Sequence, residues 1–376
     1  MSYLQNKKIA IVHEWFDSYA GSERVVEQLL QCFPQADLFA LVDFLQPEQR
    51  AFLQNKQVKT TFIQKLPFAR KKFRNYLAFF PLAVEQIDLR GYDIVLSSSH
   101  AVAKGVLTAA DQLHICYCHS PMRYAWDLYH QYLEEAGLQR GIKASFTKLF
   151  LHYLRLWDQA NSNRVNYFVA NSSYIAARIK KVYQCTAHVI YPPVKTQLFS
   201  PSSRKGDYFF TAARMVPYKK VEVIAEAFSR MPDKKLIIAG AGPELKKVQQ
   251  KAGSNIEIMP HLSPASFTQY LTEAKAFVYA AEEDFGIVMA EAQAAGVPVI
   301  AFKKGGAAEI VKEGITGILY DRQNAESLIE GVRRFESIVF DESAISLHAQ
   351  QFSVEQFTQN FSRYAEQCAA EFFKLH

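Results

Sequence analysis

Two carboxylates, Glu283 and Glu291, stand eight residues apart in AAEEDFGIVMAEAQAAG, residues 280–296. The first follows the apolar run AFVYAA. The second lies among Met289, Ala290, Ala292 and Ala294, in a stretch that reads as a helix. A carboxylate in so apolar a helix is costly to bury unless something donates hydrogen bonds to it. Sugar hydroxyls are such donors. Between the two acids, Phe285, Gly286, Ile287 and Val288 open the helix. There the first N–H groups and the positive end of the dipole suit an anion. One short stretch thus offers acceptors for hydroxyls and donors for phosphate, the inventory that a nucleotide diphosphate sugar requires. A plainer reading stands beside it: Glu283 complements a helix N-terminus and Glu291 faces water.

The cations such a ligand needs lie upstream. Arg214 closes the strand DYFFTAARM, and Pro217, Tyr218, Lys219 and Lys220 lead into the helix VEVIAEAF. A forked guanidinium and a mobile ammonium at the top of a strand are suited to flank a diphosphate. A helix N-terminus disfavours cations, which weakens the reading of Lys219 as an incidental surface charge. In KKLIIAGAGPE, Gly240 and Gly242 let a ligand or a helix pack close, although the full dinucleotide fingerprint is not there. In the first half, the buried-type strand KKIAIVHEW runs into the small turn Ala20-Gly21-Ser22 and then a helix. Gly21 allows a ligand near the backbone, and Ser22 reads as the helix N-cap. The strand LHICYCHS ends at His119, where open α/β sheets bind ligands; the alternative is a capping histidine without one.

Strands and helices alternate along all 376 residues, more than one core usually holds. Pro192-Pro193 and the polar connection KTQLFSPSSRKG place a boundary near residue 200. The expected domains are 1–199 and 200–355, with one long helix from Ser353. A helix over about 143–163 carries Phe146, Leu149, Phe150, Tyr153, Leu154 and Trp157, expected to face the core. In residues 62–86, Lys65, Arg70, Lys71, Lys72 and Arg74 interleave with Phe68, Phe73, Tyr76, Leu77, Phe79 and Phe80. Read as one helix, this segment either lies on an anionic membrane surface or packs on the core with its charges in water. No recognition module accompanies it, so nucleic acid is not expected. Five scattered cysteines without a C-x-x-C pair argue against a disulfide framework or a zinc ribbon. The opening residues have no signal-peptide layout, and no apolar run reaches the roughly 20 residues that span a bilayer. These features predict a cytoplasmic protein, peripheral on the inner membrane face if the basic segment is an anchor. A net charge of +6 accords with acidic small-molecule substrates.

With these residues in view, the chain resembles glycosyltransferase family 4. The carrying motifs are RMVPYK with Arg214 and Lys219, the Gly-x-Gly-Pro at 240–243, EEDFGIVMAE with Glu283 and Glu291, the GGxxE at 305–309, and YCHSP with His119. The resemblance implies an α/β GT-B fold: two doubly wound Rossmann-like domains facing across a cleft. The first would bind acceptor and the second the nucleotide sugar, with a final helix, about 356–376, returning to the first. It implies a retaining hexosyl transfer in which Arg214 and Lys219 meet the diphosphate together with the amides of Phe285, Gly286 and Ile287. Glu283 would hold the donor sugar, Glu291 the ribose, and His119 the sugar from the other domain. No cofactor is implied, and the chain has no Asp-x-Asp that would point to a metal. VPYKK and HSPMRYAWD resemble polysaccharide and O-antigen mannosyltransferases, which implies GDP-mannose as donor, a UDP-sugar being the alternative, and a saccharide or lipid-linked acceptor. Two departures stand out. A methyl group, Ala20, replaces the first glycine of the turn, and Lys220 stands where glycine usually follows the motif lysine. A nucleotide-sugar epimerase and a non-catalytic binding subunit are the rival readings.

Overall fold

The computed structural model describes residues 3, 4 and 6–375. Among them the strands form two sheets, both parallel throughout. The chain divides into two compact units, Met1–Tyr191 with Phe357–His376, and Pro192–Gln356. Passage from one to the other falls at the Pro192-Pro193 pair. The connection beyond it belongs to the second unit: the Val194 N–H donates to the Phe352 carbonyl (2.9 Å) and Thr196 Oγ1 to Gln350 Oε1 (3.0 Å).

The first sheet has the order β3-β2-β1-β4-β5-β6-β7. Its strands are β1 (Ile9–His13), β2 (Asp37–Ala40), β3 (Val58–Thr60), β4 (Ile94–Ser99), β5 (Leu113–Cys118), β6 (Tyr167–Ala170) and β7 (Ala187–Val189). The central strands β1, β4 and β5 are buried at every position, as continuous apolar runs require when both faces are covered. One face is covered by α1 (Gly21–Cys32) through Val25, Val26, Leu29 and Leu30, and by the helix Val354–Leu375 through Phe357, Phe361, Cys368 and Phe372. Each buried phenylalanine there contributes roughly 1.5–3 kcal/mol, which ties the end of the chain to its beginning.

On the opposite face two expectations are corrected. Residues 62–86 are not one helix. They form short turns of helix, Phe62–Lys65, Ala69–Lys72, Phe73–Phe79 and Phe80–Glu85, broken at Pro67 and at Phe68, whose φ is 57°. Phe73 and Phe80 enter the core; Phe68 and Phe79 stay exposed. The helix Ile142–Ser162 forms as expected but is turned about its axis. Its inward residues are Ala144, Leu151, Leu154, Asp158 and Asn161, while Phe146, Leu149 and Tyr153 of the expected stripe are exposed. The cause is Asp158. Its carboxylate pairs with the buried Lys104 and accepts from Trp126 Nε1 (2.7 Å) and Tyr183 Oη (2.9 Å). A buried ion pair that lost a partner would cost several kcal/mol, so the network fixes which side of the helix faces in.

The second sheet has the order β10-β9-β8-β11-β12-β13. Its strands are β8 (Phe209–Ala212), β9 (Leu236–Ala239), β10 (Ile256–Met259), β11 (Ala276–Tyr279), β12 (Val299–Phe302) and β13 (Gly317–Tyr320). The helix Val221–Ser229 buries Val221, Ile224, Ala225 and Phe228 against β8, β9 and β11 residues. In each sheet the order reverses beside the unit's first strand, β1 next to β4 and β8 next to β11. That reversal opens a crevice at the carboxyl ends of the strands, where doubly wound sheets receive ligands.

Candidate functional site

In the second unit, three of the expected elements meet at the reversal. After β8 the chain passes Arg214, which is exposed, and makes one tight turn, Pro217–Lys219. Lys219 Nζ then lies 2.5 Å from Glu283 Oε1 and 3.0 Å from the Tyr279 hydroxyl. Tyr279 closes β11 and is buried; Glu283 follows four residues later. The lysine and glutamate side chains are only 15% and 17% exposed, so their interaction escapes most solvent screening. Burial works against the ammonium, but Tyr279 and Glu283 outweigh it and hold Lys219 above the usual lysine range. The cation is therefore permanent at neutral pH.

Backbone packing explains the glycines. A Cβ on Gly240 would sit 2.1 Å from the Ala213 carbonyl oxygen, and one on Gly242 2.3 Å from that of Met215. The space these glycines leave is filled by the backbone on either side of Arg214, not left to a ligand. They position the arginine loop. Gly305 and Gly306 do the same for the glutamate loop: their Cβ atoms would meet the carbonyl oxygens of Glu283 and Phe285 at 2.1 Å. The Gly306 N–H also donates to Glu283 O (2.9 Å). Gly286, at φ 96°, caps the helix Ile287–Ala294. The first-turn amides of Ile287 and Val288 have no acceptor within that helix. Phe285 is buried against Phe352, with ring centroids 5.4 Å apart. Glu291 is 6% exposed on the inner side of the helix, so it does not simply face water. Lys220 adopts φ 53°, ψ 34° at the start of the next helix. That left-handed conformation is the physical reason glycine suits this position.

In the first unit, His119 directly follows β5. Its Nε2 is 2.8 Å from Ser98 Oγ, which is 3.2 Å from His13 Nδ1; His13 Nε2 lies 3.3 Å from Glu23 Oε1. Glu23 Oε2 in turn accepts from the Ala20 N–H and the Ser22 hydroxyl, both at 3.0 Å. One hydrogen-bonded line thus joins the end of β5, the end of β1 and the turn that opens α1. Gly21 is the first residue of α1, and Ala20 sits in extended backbone at φ −136°, where a methyl group is tolerated. Ser22 therefore lies inside the helix, and capping passes to the Glu23 carboxylate, correcting the expected cap. Burial and the neighbouring His100 and His13 hold His119 well below the usual histidine range, so it is neutral at pH 7.

Beside this line, Glu14 is fully buried. It accepts from Ser99 Oγ and from the N–H groups of His100, Ala101, Val102 and Ala103 at 2.7–3.1 Å. Burial favours its neutral form, but His100 and the backbone donors outweigh that and lower its pKa. Tyr279, His13, Glu14, Glu23 and Ser98 went unmarked in the sequence. A signal existed for two of them: His13-Glu14 stands at the carboxyl end of the first strand, the same kind of position that marked His119.

Residues 19–198 match the family model described as Glycosyltransferase Family 4, and residues 195–344 that described as Glycosyl transferases group 1. A D-inositol 3-phosphate glycosyltransferase of Mycobacterium leprae is 27% identical over 199 residues, 45% of this chain and 46% of that protein. An uncharacterized glycosyltransferase of Methanocaldococcus jannaschii is 27% identical over 187 residues, 48% of this chain and 51% of that protein. The chain thus spans about half the length of these curated relatives. Among solved structures, sucrose-phosphate synthase of Thermosynechococcus elongatus superposes with a TM-score of 0.70 at 17% identity, over 97% of this chain and 100% of that one. Anabaena HepE in complex with UDP and glucose does so with a TM-score of 0.68 at 16% identity, over 96% of this chain and 99% of that one. At those identities the likeness is one of fold, and it covers both units.

Proposed function

We propose that the chain is a glycosyltransferase of the GT-B fold that moves a hexose from a nucleoside diphosphate sugar to a saccharide or lipid-linked acceptor. The observation that carries this reading is the Lys219–Glu283–Tyr279 cluster at the reversal between β8 and β11. Departure of the nucleoside diphosphate concentrates negative charge on the phosphate oxygens. Lys219, Arg214 and the first-turn amides of Ile287 and Val288 are the groups that would meet it. Donors already in place in a site of low dielectric act without reorganisation, and each is worth roughly 10²–10³ in rate. Glu283, released from Lys219 by the incoming phosphate, would accept from the sugar hydroxyls, and Glu291 from the ribose. Gly240 and Gly242 act at one remove, by seating the arginine loop.

In this scheme the configuration at the transferred carbon is retained. The acceptor hydroxyl attacks on the side the diphosphate leaves, and a diphosphate oxygen takes its proton. Positive charge comes from Arg214 and Lys219, the amides add hydrogen-bond donors, and in the first unit His119 would meet a ligand hydroxyl as a neutral imidazole. The first unit is the acceptor side and the second the donor side. GDP-mannose is the proposed donor, on the resemblance of VPYKK and HSPMRYAWD to mannosyltransferases. The UDP and glucose held by HepE support a UDP-sugar as the competing donor. Product would enter cell-surface polysaccharide, made on the inner face of the membrane.

A thermal-shift series with GDP, UDP, ADP and NAD separates these readings, because a ligand that binds only the folded state raises Tm as its concentration passes Kd. A shift with GDP alone supports the mannosyl donor. A shift with UDP alone replaces it and leaves the transfer reading in place. No shift with any of the nucleoside diphosphates overturns the reading and favours a non-catalytic role.

A further inference from the structure

The helix Ile142–Ser162 carries a second apolar stripe, opposite the one buried in the core. Ile142, Phe146, Leu149, Tyr153 and Leu156 follow one another at intervals of four, three, four and three residues. At 3.6 residues per turn they fall within an arc of about 80° and run for about 21 Å. They are 78%, 70%, 65%, 54% and 57% exposed. Five large apolar side chains in one exposed line are not the scattered singles of an ordinary surface. Beside them the charges have one sign. Residues 140–157 contain Arg140, Lys143, Lys148 and Arg155 and no carboxylate.

The broken segment 62–84 shares these properties. It contains Lys65, Arg70, Lys71, Lys72 and Arg74 and no carboxylate, and it exposes Phe68, Phe79 and Leu82. Arg74 is held by Asp17 (2.7 Å); the other four basic side chains are solvent-exposed and make no ion pair among the described residues. The two segments belong to one face of the unit. Leu66, Tyr76 and Leu77 of one pack on the same core cluster as Phe150 and Trp157 of the other. Trp157 Nε1 also donates to Glu85 Oε1 (3.0 Å), just past the basic segment. Among the described residues no helix is long and apolar enough to cross a membrane.

We propose that this face docks on an anionic lipid bilayer. The stripe Ile142–Leu156 would lie in the interface, with Phe68, Phe79 and Leu82 beside it and the lysines and arginines against the headgroups. An amphipathic helix with aromatic and aliphatic residues on one side and cations flanking them binds in this way, and its affinity is the sum of burial and charge. Charge selects this occupant over a second copy of the chain. Pairing two such faces would bring like charges together, whereas an anionic surface neutralises them.

Co-sedimentation of the full chain with phosphatidylglycerol-containing vesicles, measured without nucleotide, tests this separately from the transfer reading. Binding is expected to vesicles of mixed phosphatidylglycerol and phosphatidylcholine and to fall at least tenfold on pure phosphatidylcholine. F146S with L149S, at exposed positions, should weaken binding to the mixed vesicles at least tenfold with Tm unchanged. K65S, R70S, K71S and K72S together should do the same and should flatten the salt dependence. If a variant does not fold, hydrogen exchange on the unaltered protein decides: amides of 142–156 should gain protection with mixed vesicles. Binding that ignores lipid charge, no binding and no protection, or a concentration-dependent dimer that F146S with L149S dissociates without any vesicle binding would each overturn the proposal.

Discussion

The two sheet reversals do the same topological job with opposite chemistry. At β8 and β11 the polar groups form an ionic cluster, Lys219 with Glu283 and Tyr279, on loops seated by glycines. At β1 and β4 they form a hydrogen-bonded line, His119, Ser98 and His13, ending on Glu23. The lysine is held charged; His119 is held neutral. A permanent cation suits a ligand that becomes more negative as it reacts. A neutral imidazole suits a hydroxyl, to which it donates or from which it accepts. The fold supplies two crevices, and the side chains at the strand ends decide which ligand each can take.

The largest effect that would break this contrast is expected at Lys219. Lys219→Ala should lower kcat of sugar transfer by roughly 10²–10³, because the charge it meets grows in the transition state. An unchanged kcat would remove it from the chemistry. His119→Ala should cost less, about tenfold in kcat/KM, the worth of a single hydrogen bond to substrate. Because His119 is neutral at pH 7, the rate should show no step in the ordinary histidine range; a step there that His119→Ala abolishes would reverse the assignment.

Stability sharpens the same contrast. Glu14→Ala would leave the amides of residues 100–103 without their acceptor and should lower stability by about 3–5 kcal/mol, read from denaturant unfolding of the whole chain. Glu23 adds a pH dependence. Burial raises its pKa, but the hydrogen bond and charge of His13, with backbone donors, bring it down to about 2. Its folded pKa is below the ordinary value, so its contribution is fully present above about pH 4.5 and lost as pH falls toward about 2. Glu23→Gln should therefore flatten the acid limb of the stability curve. The smallest effect is expected at Lys220. Lys220→Gly relieves a left-handed residue but frees the unfolded chain, for a net gain of about 0.5 kcal/mol, or a rise of about 1–2 °C in Tm.

The sequence was most legible where one interaction dominates a residue's placement. Continuous apolar runs mark the strands β1, β5 and β11, and small residues mark the turn after β1. The short strands β2 and β3, four and three residues long, carry less pattern than their neighbours. Arg214, Lys219 and Glu283 were visible because charges at strand ends are costly without a purpose; Tyr279 was hidden because it also reads as the last residue of a buried strand. The helix Ile142–Ser162 misled for a physical reason. It has two apolar faces, and the choice between them rests on Asp158 meeting Lys104, residues 54 positions apart. Segment 62–86 misled because periodicity does not reveal that Phe68 takes a left-handed backbone.

Calorimetric titration of GDP and UDP into the unaltered protein and into Lys219→Ala tests the central claim most directly. The account predicts that one nucleoside diphosphate binds the unaltered protein and that the variant binds it at least tenfold more weakly, about 1.4 kcal/mol. Equal affinity in both proteins, or no binding to either, would contradict the assignment of the β8–β11 crevice as the donor site.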